Sequence, residues 1–438
     1  MTLRWLEEMR VYLERQILII GVLGFFSGFP FLLVSGTLTY WLAKTNVDIT
    51  LIGVFALIKL PYALKCFWAP LVDHLGLFPF TRFLGQRKGW LFFAQLSIVL
   101  GLTGIAFCDP SKAPLSFALW ALLISFFSAT QDIVIDAYRI ETLEKNQQGA
   151  GAASYVLYYR LSLFASGAGA ILFASAYGWK SCYLLMALIM SGGACFTLFL
   201  PRGHLKENLD TQVSTSNTLP KATRRAKILS WFKRAAVDPF VDFTTRDQWK
   251  LILPFIILYK VSDGVLGAVI NPFYVQMGFT DAEIATAVKT FGIIATIVGG
   301  MLGGIWIKRS GILHVLWVSA MLQALSNGAY LLLLAMGHKV SILYLVIAIE
   351  NICSGISSIV FVAYLSQLCS IGFAATQYAL FLSLANTSQS FLASFSGIFI
   401  KKFGWAPFFL TTVVCGAPAL VIARYFAYRE KKPPPYNL

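Results

Sequence analysis

Ionisable side chains lie inside long apolar runs of this sequence, where such groups are normally rare. Four of them lie about ten residues into their runs, roughly 15 Å deep at ~1.5 Å per residue: Lys59, Arg160, Lys260 and Glu350. An ionised group at the centre of a bilayer costs about 2.5–3.5 kcal/mol, so it normally faces a partner or a polar cavity. Lysine and arginine can bind carboxylates, and carboxyl groups can bind and release protons. The pattern therefore predicts a polar site for an anionic ligand and a proton.

Three acidic residues within the runs are candidates to bind the proton: Asp132, Asp263 and Glu350. Asp132 lies about 12 Å from the nearer end of its run. It is the favoured candidate, because Ser128 and Asp136 share its helix face one turn before and after it. Asp263 lies about 21 Å along its run and three residues from Lys260. These last two residues could instead neutralise each other as a structural pair.

The candidate ligand-binding residues combine cations with polar and aromatic neighbours. They are Lys59, Lys65, Arg160, Lys260, Gln131, Tyr155 and Tyr159. Arginine suits a carboxylate because its planar guanidinium can donate two parallel hydrogen bonds. The tyrosines could equally be packing residues, since aromatic residues make up 15% of the chain. Asp132 could likewise do no more than neutralise a neighbouring cation such as Arg160.

Asp73, Asp136 and Arg139 are predicted to have a structural or gating role. Asp136 and Arg139 are three residues apart near the end of their run, a spacing at which opposite charges pair on one helix face. Asp73 follows the second apolar run and is a candidate third member of this pair.

Several function classes are excluded by what the sequence lacks. It has no GxxxxGK[ST] phosphate-binding loop, so the chain does not itself hydrolyse ATP by that mechanism. None of the four histidines has a partner at metal-ligand spacing, and the seven cysteines form no CxxC pair, so we expect no metal and no cofactor. The net charge is +15, but the sequence has no basic segment with interleaved aromatic residues, so a nucleic-acid-binding function is disfavoured. The expectation is a transporter rather than an enzyme, with a proton gradient as its energy source.

The elements that must position these residues are membrane helices. Apolar residues make up 58% of the 438 and charged residues 13%, whereas soluble domains have roughly 45–50% and about 25%. Runs of about 20 apolar residues predict membrane spans. Twelve such runs occur, at 17–43, 49–72, 89–107, 114–140, 150–174, 180–200, 249–275, 282–305, 312–336, 340–369, 376–400 and 405–428. The first is too long for a signal peptide and lacks a cleavage pattern, so we expect it to be retained.

The sequence predicts an all-α membrane protein made of two homologous six-helix halves. Residues 133–138 (IVIDAY) in the fourth run match residues 359–364 (IVFVAY) in the tenth. The match pairs Asp132 with Ser358, so the shared fold does not require a charge at that position. The predicted units are a cytoplasmic N-terminal segment (1–16), the first half (17–200), a cytoplasmic linker with an amphipathic helix (201–248), the second half (249–428) and a cytoplasmic tail (429–438).

The distribution of lysine and arginine predicts the orientation. If the N-terminus is inside, the inner segments and the run ends next to them carry 24 of the 35 cations, the outer loops and the run ends next to them carry six, and the remaining five lie deeper within spans. Cytoplasmic loops carry an excess of these residues, so we expect both termini and the linker to be cytoplasmic.

Three segments of the first half resemble the AmpG family of the major facilitator superfamily: residues 27–30 (SGFP), 60–73 (LPYALKCFWAPLVD) and 129–139 (ATQDIVIDAYR). In the second half, residues 259–263 (YKVSD) and 375–380 (ATQYAL) agree with the same pattern. Lys59 departs from it, because that position is neutral in the family.

The resemblance implies a twelve-helix major facilitator fold and a proton-coupled permease. The implied cargo is an anhydromuropeptide, an anionic glycopeptide released by peptidoglycan turnover, imported by alternating access across the inner membrane of a bacterium. We expect a monomer that has the lipid bilayer, its small-molecule cargo and protons as partners. Two alternatives stay open: an importer of another anionic solute, such as an acetyl-CoA-like or siderophore-like cargo, and a transceptor of the same fold that does not accumulate its ligand.

Overall fold

The computed structural model describes residues 10–44, 58, 60–201, 237–393 and 395–430. All regular secondary structure in these ranges is helical. The predicted binding residue Lys59, most of the second apolar run, most of the linker and nearly all of the predicted tail lie outside the described residues.

The first half begins with two helices separated by a short turn, and its last helix contains a sharp turn at one glycine. Its helices are α1 (Arg15–Leu33), α2 (Gly36–Lys44), α3 (Leu60–Leu64), α4 (Ala69–His74), α5 (Phe80–Leu84), α6 (Gln86–Ala106), α7 (Pro114–Thr142), α8 (Gln148–Phe164) and α9 (Ala170–Leu198). A π-helical segment, Ala165–Gly169, connects α8 to α9. Within α9 the chain turns at Gly178, whose φ of 80° and ψ of 158° suit a residue without a side chain. The predicted fifth and sixth spans therefore meet at Gly178.

The second half repeats this plan with more interruptions. Its helices are α10 (Asp238–Thr244), α11 (Trp249–Tyr259), α12 (Val261–Gln276), α13 (Asp281–Ile284), α14 (Gly292–Ser310), α15 (Ile312–Met336), α16 (Val340–Gln367), α17 (Ala374–Ala393), α18 (Ser396–Phe403), α19 (Trp405–Cys415) and α20 (Ala417–Glu430). The break between α11 and α12 falls at Lys260, one of the predicted site residues. A π-helical segment, Ala285–Phe291, precedes α14. Interrupted helices near a central site are typical of secondary transporters.

Helices long and apolar enough to cross a membrane dominate the described ranges. Eight segments there meet that criterion, and one of them, Gln148–Leu198, contains two predicted spans. The prediction of an all-α membrane protein is confirmed.

The buried apolar residues of the described ranges form three clusters, and their positions show how the halves meet. One cluster contains residues of both halves, including Ile17 and Ile133 from the first and Ile307 and Ile359 from the second. A second lies wholly within the first half, between Phe29 and Met190. A third lies wholly within the second half and extends from Leu266 to Phe409.

The shared cluster occupies one end of the helices and the separate clusters the other. It contains the first turns of α8 and the last turns of α7, as expected for antiparallel neighbours at one membrane face. We call this end the closed end, because both halves contribute to one core there. The opposite end is the open end, because each half packs on its own core.

Glycines allow α1 and α8 to pack backbone against backbone. A Cβ atom added at Gly24 would lie 2.5 Å from the carbonyl oxygen of Tyr155 and 2.9 Å from its Cα. We expect Gly24→Val to destabilise the first half by about 1–3 kcal/mol, the usual range for overpacking. Gly192→Val is the matched control, since nothing lies within 4 Å of its position. Thermal unfolding of the two variants in detergent measures the difference, and equal melting temperatures would contradict the packing argument.

Candidate functional site

Asp132 belongs to a hydrogen-bonded triad that is centred on Ser27 and made by three helices of the first half. The Ser27 hydroxyl on α1 donates to Asp132 Oδ1 on α7 across 2.5 Å. The same hydroxyl oxygen lies 2.6 Å from the Tyr155 hydroxyl on α8. No lysine or arginine in the described ranges lies within 4 Å of the Asp132 carboxylate. The alternative that Asp132 forms an ion pair with Arg160 therefore finds no support.

Asp136, one turn further along α7, is shared by two buried cations. Its Oδ2 lies 3.9 Å from Lys65 Nζ, and its Oδ1 lies 3.4 Å from Arg139 Nη2. The predicted Asp136–Arg139 pair is confirmed. Lys65, expected to bind ligand, is 7% exposed and is engaged by Asp136 in this conformation.

The second half places a different polar cluster at the break between α11 and α12. Lys260 Nζ lies 3.4 Å from Asp263 Oδ2 and donates to the Ser358 hydroxyl on α16 across 2.8 Å. Gln323 on α15 donates to the other oxygen of Asp263 across 3.4 Å. Lys260 and Asp263 thus neutralise each other here, as the alternative interpretation expected.

Glu350 is a membrane-embedded acid without an ion-pair partner in the described ranges. Its Oε2 accepts a hydrogen bond of 2.7 Å from the Asn351 amide. Asn351 in turn accepts one of 2.8 Å from the Thr296 hydroxyl on α14. This chain of hydrogen bonds connects Glu350 to the helix that faces the first half.

Arg160 on α8 lines a narrow crevice between the two halves, with room for about one water molecule. The opposite wall includes Thr296 and Gly300 of α14 and Gly355 and Ser358 of α16. Among the described residues, no carboxylate lies within 4 Å of its guanidinium. Arg160 is therefore the charged residue of a mostly apolar crevice, whose far wall holds Ser358, the acceptor of the Lys260 hydrogen bond.

The remaining two predicted binding residues have different surroundings. Gln131 is fully buried and donates to the Phe26 carbonyl across 2.7 Å, so it joins α7 to α1 rather than facing a cavity. Tyr159 is partly exposed, and its ring centroid lies 6.1 Å from that of Tyr155.

Solved structures of similar shape show which fold this arrangement belongs to. The proton:xylose symporter XylE of the major facilitator superfamily superposes with a TM-score of 0.65 at 11% identity, covering 94% of this chain and 95% of that one. The human organic anion transporter MFSD10 gives a TM-score of 0.62 at 14% identity, covering 95% of this chain and 99% of that one. The chain has the major facilitator fold.

Relatives found by sequence share more identity with this chain than these solved structures do. A family model described as acetyl-coenzyme A transporter 1 matches residues 16–112. The putative transporter AmpG 4 of Rickettsia felis is 32% identical over 418 residues, which cover 95% of this chain and 97% of that protein. The anhydromuropeptide permease of Escherichia coli K12 is 33% identical over 418 residues, which cover 95% of this chain and 80% of that protein. The chain belongs to the AmpG family. It is a membrane transporter, as its curated relatives are, and not an enzyme.

The closed end of this AmpG-family transporter is held by a carboxylate that reaches from one half to the other. Asp73 Oδ2 on α4 accepts hydrogen bonds from the backbone N–H of Thr376 at 2.9 Å and from the Thr376 hydroxyl at 2.6 Å. Its Oδ1 lies 2.8 Å from Arg87 Nη2, and Arg87 also binds Glu141. Because Asp73 lies at the first turn of α17, the helix dipole adds to this attraction.

The expectation that Asp73 joins Asp136 and Arg139 was wrong. Asp73 pairs with Arg87 and accepts hydrogen bonds from the first turn of α17. A single sequence does not show that this carboxylate meets the N–H donors at a helix N-terminus of the other half.

Removing the Asp73 charge is expected to loosen the closed end of the AmpG-family protein. Ile307 is 5% exposed and packs against Gly149 of the other half. In a cysteine-free background, a cysteine at position 307 should react several-fold faster with a maleimide when Asp73 is changed to Asn. Asp109→Asn, which removes an exposed carboxylate at the opposite end, should leave the rate unchanged. Equal rates in both variants would show that Asp73 does not hold the halves together.

The segment leading into the second half is also attached at the closed end. Asp242 on α10 accepts hydrogen bonds from Ser370 at 2.6 Å and Gln377 at 2.8 Å, and lies 3.4 Å from Arg246. Partial burial alone would raise the pKa of Asp242, but these donors outweigh it and hold the pKa below its ordinary value. The attachment is therefore present at neutral pH and is lost when acid protonates Asp242.

Sequence reasoning missed the neutral partners of the site. Ser27, Ser358, Asn351 and Thr296 bind or flank the charged residues, yet serine, threonine and asparagine are common in membrane helices. The one available signal was Ser27, which lies within the SGFP segment that carried the family resemblance.

Proposed function

We propose that this AmpG-family transporter imports anhydromuropeptides together with protons by alternating access. The membrane is the bacterial inner membrane, with both termini in the cytoplasm, and one chain is the working unit. The cargo assignment is supported by the similarity to an anhydromuropeptide permease over 95% of the chain. The orientation is supported by the excess of lysine and arginine in the inner segments.

The observation that carries the proposal is the set of membrane-embedded charges that have no opposite charge within 4 Å in the described ranges. Asp136 and Asp263 have cations within 4 Å. Arg160, Asp132 and Glu350 have none within the described ranges. Isolated charges are unfavourable in a membrane, so each is expected to meet a mobile counter-charge during the cycle. A cargo carboxylate satisfies Arg160, and protons satisfy the two acids.

The open end gives cargo access to Arg160 from one side of the membrane. Binding there brings a carboxylate against the guanidinium, which can donate two parallel hydrogen bonds to it. Ser358 on the opposite wall, which accepts a hydrogen bond from Lys260, brings the second half into the same contact. Because both halves then hold one ligand, binding favours the movement that closes the open end.

Proton uptake at Asp132 fits this movement. A protonated Asp132 donates to Ser27, whereas an ionised Asp132 accepts from it, so the triad with Tyr155 accommodates both states. When Asp132 is protonated, it no longer places a charge in the region where the two halves move past each other. Asp263 and Glu350 are the further candidates, and Glu350 is the better placed of the two because its carboxylate has only an amide donor.

One observation favours a second cargo. The acetyl-coenzyme A transporter 1 model matches residues 16–112, about the first three predicted spans. Coenzyme A carries phosphates, which arginine and lysine also bind. The match leaves out Arg160 and the whole second half, so the muropeptide assignment is preferred.

Uptake into proteoliposomes tests the proposal and separates the alternatives. Radiolabelled anhydromuropeptide should accumulate above its equilibrium level only with an inward proton gradient, and unlabelled muropeptide should compete whereas acetyl-CoA should not. Competition by acetyl-CoA alone would transfer the assignment to that cargo. Binding without accumulation under a gradient would indicate a transceptor.

A further inference from the structure

Arg139 lies between the two halves at the closed end, and only part of its guanidinium has a hydrogen-bond acceptor there. Arg139 on α7 is 0% exposed. Its guanidinium carbon lies 5.8 Å from the ring centroid of Tyr155 in the first half and 5.3 Å from that of Tyr378 in the second. The two tyrosines occupy matching positions of the sequence repeat. Arg139 therefore lies where the halves meet, covered on one side by each of them.

Hydrogen bonding leaves much of this guanidinium unused. Its Nη2 reaches Asp136 at 3.4 Å, a long contact for an ion pair. Its Nε and Nη1 make no well-aligned hydrogen bond in the described ranges, and the neutral Tyr378 hydroxyl lies near the guanidinium. Buried donors without acceptors are unfavourable, and charged ones more so. These two donors are available to a ligand.

The unused donors point to the chemistry of that ligand. Arg139 shares the Asp136 carboxylate with Lys65, and that carboxylate reaches only its Nη2. The matching residue in the second half is Leu365, because residues 359–364 repeat 133–138, so the fold does not require a cation there. A ligand carboxylate would accept hydrogen bonds from the Nε and Nη1 donors of the guanidinium.

Tyr378, which covers Arg139 from the second half, moves away when the closed end opens. Tyr378 belongs to α17, whose first turn is held to the first half by Asp73. Movement of the second half away from the first carries Tyr378 with it, while Asp136 and Tyr155 stay with Arg139. The guanidinium then faces the cavity from the side that is closed in the present conformation.

We propose that Arg139 is a second carboxylate-binding residue, covered by Tyr378 in this conformation and exposed to cargo only when the closed end opens. Arg160 lies 12 residues from the start of α8, and Arg139 three residues from the end of α7, so Arg139 is roughly 13 Å nearer the closed face at ~1.5 Å per residue. The cargo carboxylate passes from Arg160 on entry to Arg139 before release. This inference rests on the proposed import of an anionic cargo.

Exchange measured from each side tests the proposal. Counterflow of radiolabelled anhydromuropeptide is followed in vesicles of both orientations. Arg139→Lys and Arg160→Lys are compared, one variant for each proposed binding residue. Lysine keeps the charge but cannot bind a carboxylate through two parallel bonds, so a shift of about tenfold is expected. Arg139→Lys should raise the half-saturating concentration on the closed side and Arg160→Lys on the open side. Equal shifts on both sides in Arg139→Lys, or none, would overturn the assignment.

A second measurement needs no cargo. Phenylglyoxal, which modifies accessible arginine, should leave Arg139 unmodified in the parent protein and modify it in Asp73→Asn, as read by mass spectrometry. An unmodified Arg139 in that variant would overturn the exposure that the inference requires. If the parent protein exchanges no muropeptide from either side, the proposed cargo is wrong, and the phenylglyoxal result still decides whether Arg139 becomes exposed.

Discussion

Asp132→Asn is expected to abolish accumulation driven by a proton gradient while cargo exchange continues. Asparagine has the shape of the protonated acid and keeps a hydrogen bond with Ser27, which lies 2.5 Å from the carboxylate. It cannot release a proton, so the step that couples cargo to the gradient is lost. We expect gradient-driven accumulation to fall to the equilibrium level, whereas counterflow should stay within about threefold of the parent rate.

Uptake and counterflow are measured in the same proteoliposomes, so that a folding defect would lower both. Asp109→Asn is the control, since Asp109 lies in an exposed loop and pairs only with Lys112 in the described ranges. If Asp132→Asn accumulates cargo like the parent protein, the proton binds elsewhere. Glu350→Gln and Asp263→Asn would then be compared by the same two assays.

Arg160→Gln is expected to weaken cargo binding by between about tenfold and a hundredfold. A hydrogen bond to a charged group contributes about 1.5–3 kcal/mol, and Arg160 faces the crevice with no carboxylate of its own within 4 Å in the described ranges. Removing it therefore deletes an interaction with the cargo and breaks no ion pair within the described protein. Arg160→Lys should restore part of the affinity, because the charge remains.

Half-saturation of uptake measures this effect, and Arg424→Gln is the matched control. Arg424 is an exposed arginine on α20 that stacks on Trp317, away from the crevice. A cargo analogue with amidated carboxylates should bind the parent protein as weakly as native cargo binds Arg160→Gln. Equal competition by native and amidated cargo in the parent protein would remove the electrostatic role of Arg160.

The long-range pattern of this fold could be predicted from its sequence because apolar length is a local property. Runs of about 20 apolar residues and the match between residues 133–138 and 359–364 were sufficient for the helices and the repeat. The Asp136–Arg139 and Lys260–Asp263 pairs were also accessible, since three residues along a helix bring side chains together.

Partners that are distant in the chain were not accessible from one sequence. Asp73 binds the first turn of a helix some 300 positions later, and Ser27 reaches Asp132 from a different helix. The role of Gln131 was also hidden, because an amide next to an acid in the sequence suggests a ligand contact. In the structure the Gln131 amide instead donates a hydrogen bond to the Phe26 carbonyl. Helix packing decides these contacts, and a single sequence gives helix lengths but not which faces meet.

Because each half has its own core at the open end, a rigid molecule bound between the halves there would inhibit the transporter. Each half already packs on its own core there, so a rigid apolar molecule lodged between the two would meet formed surfaces rather than unfold them. It would stop the halves from approaching and hold the cycle at one step without touching Arg160 or Asp132. Such an inhibitor would also obstruct cargo entry at the open end, yet substitutions in the charged site would not confer resistance to it.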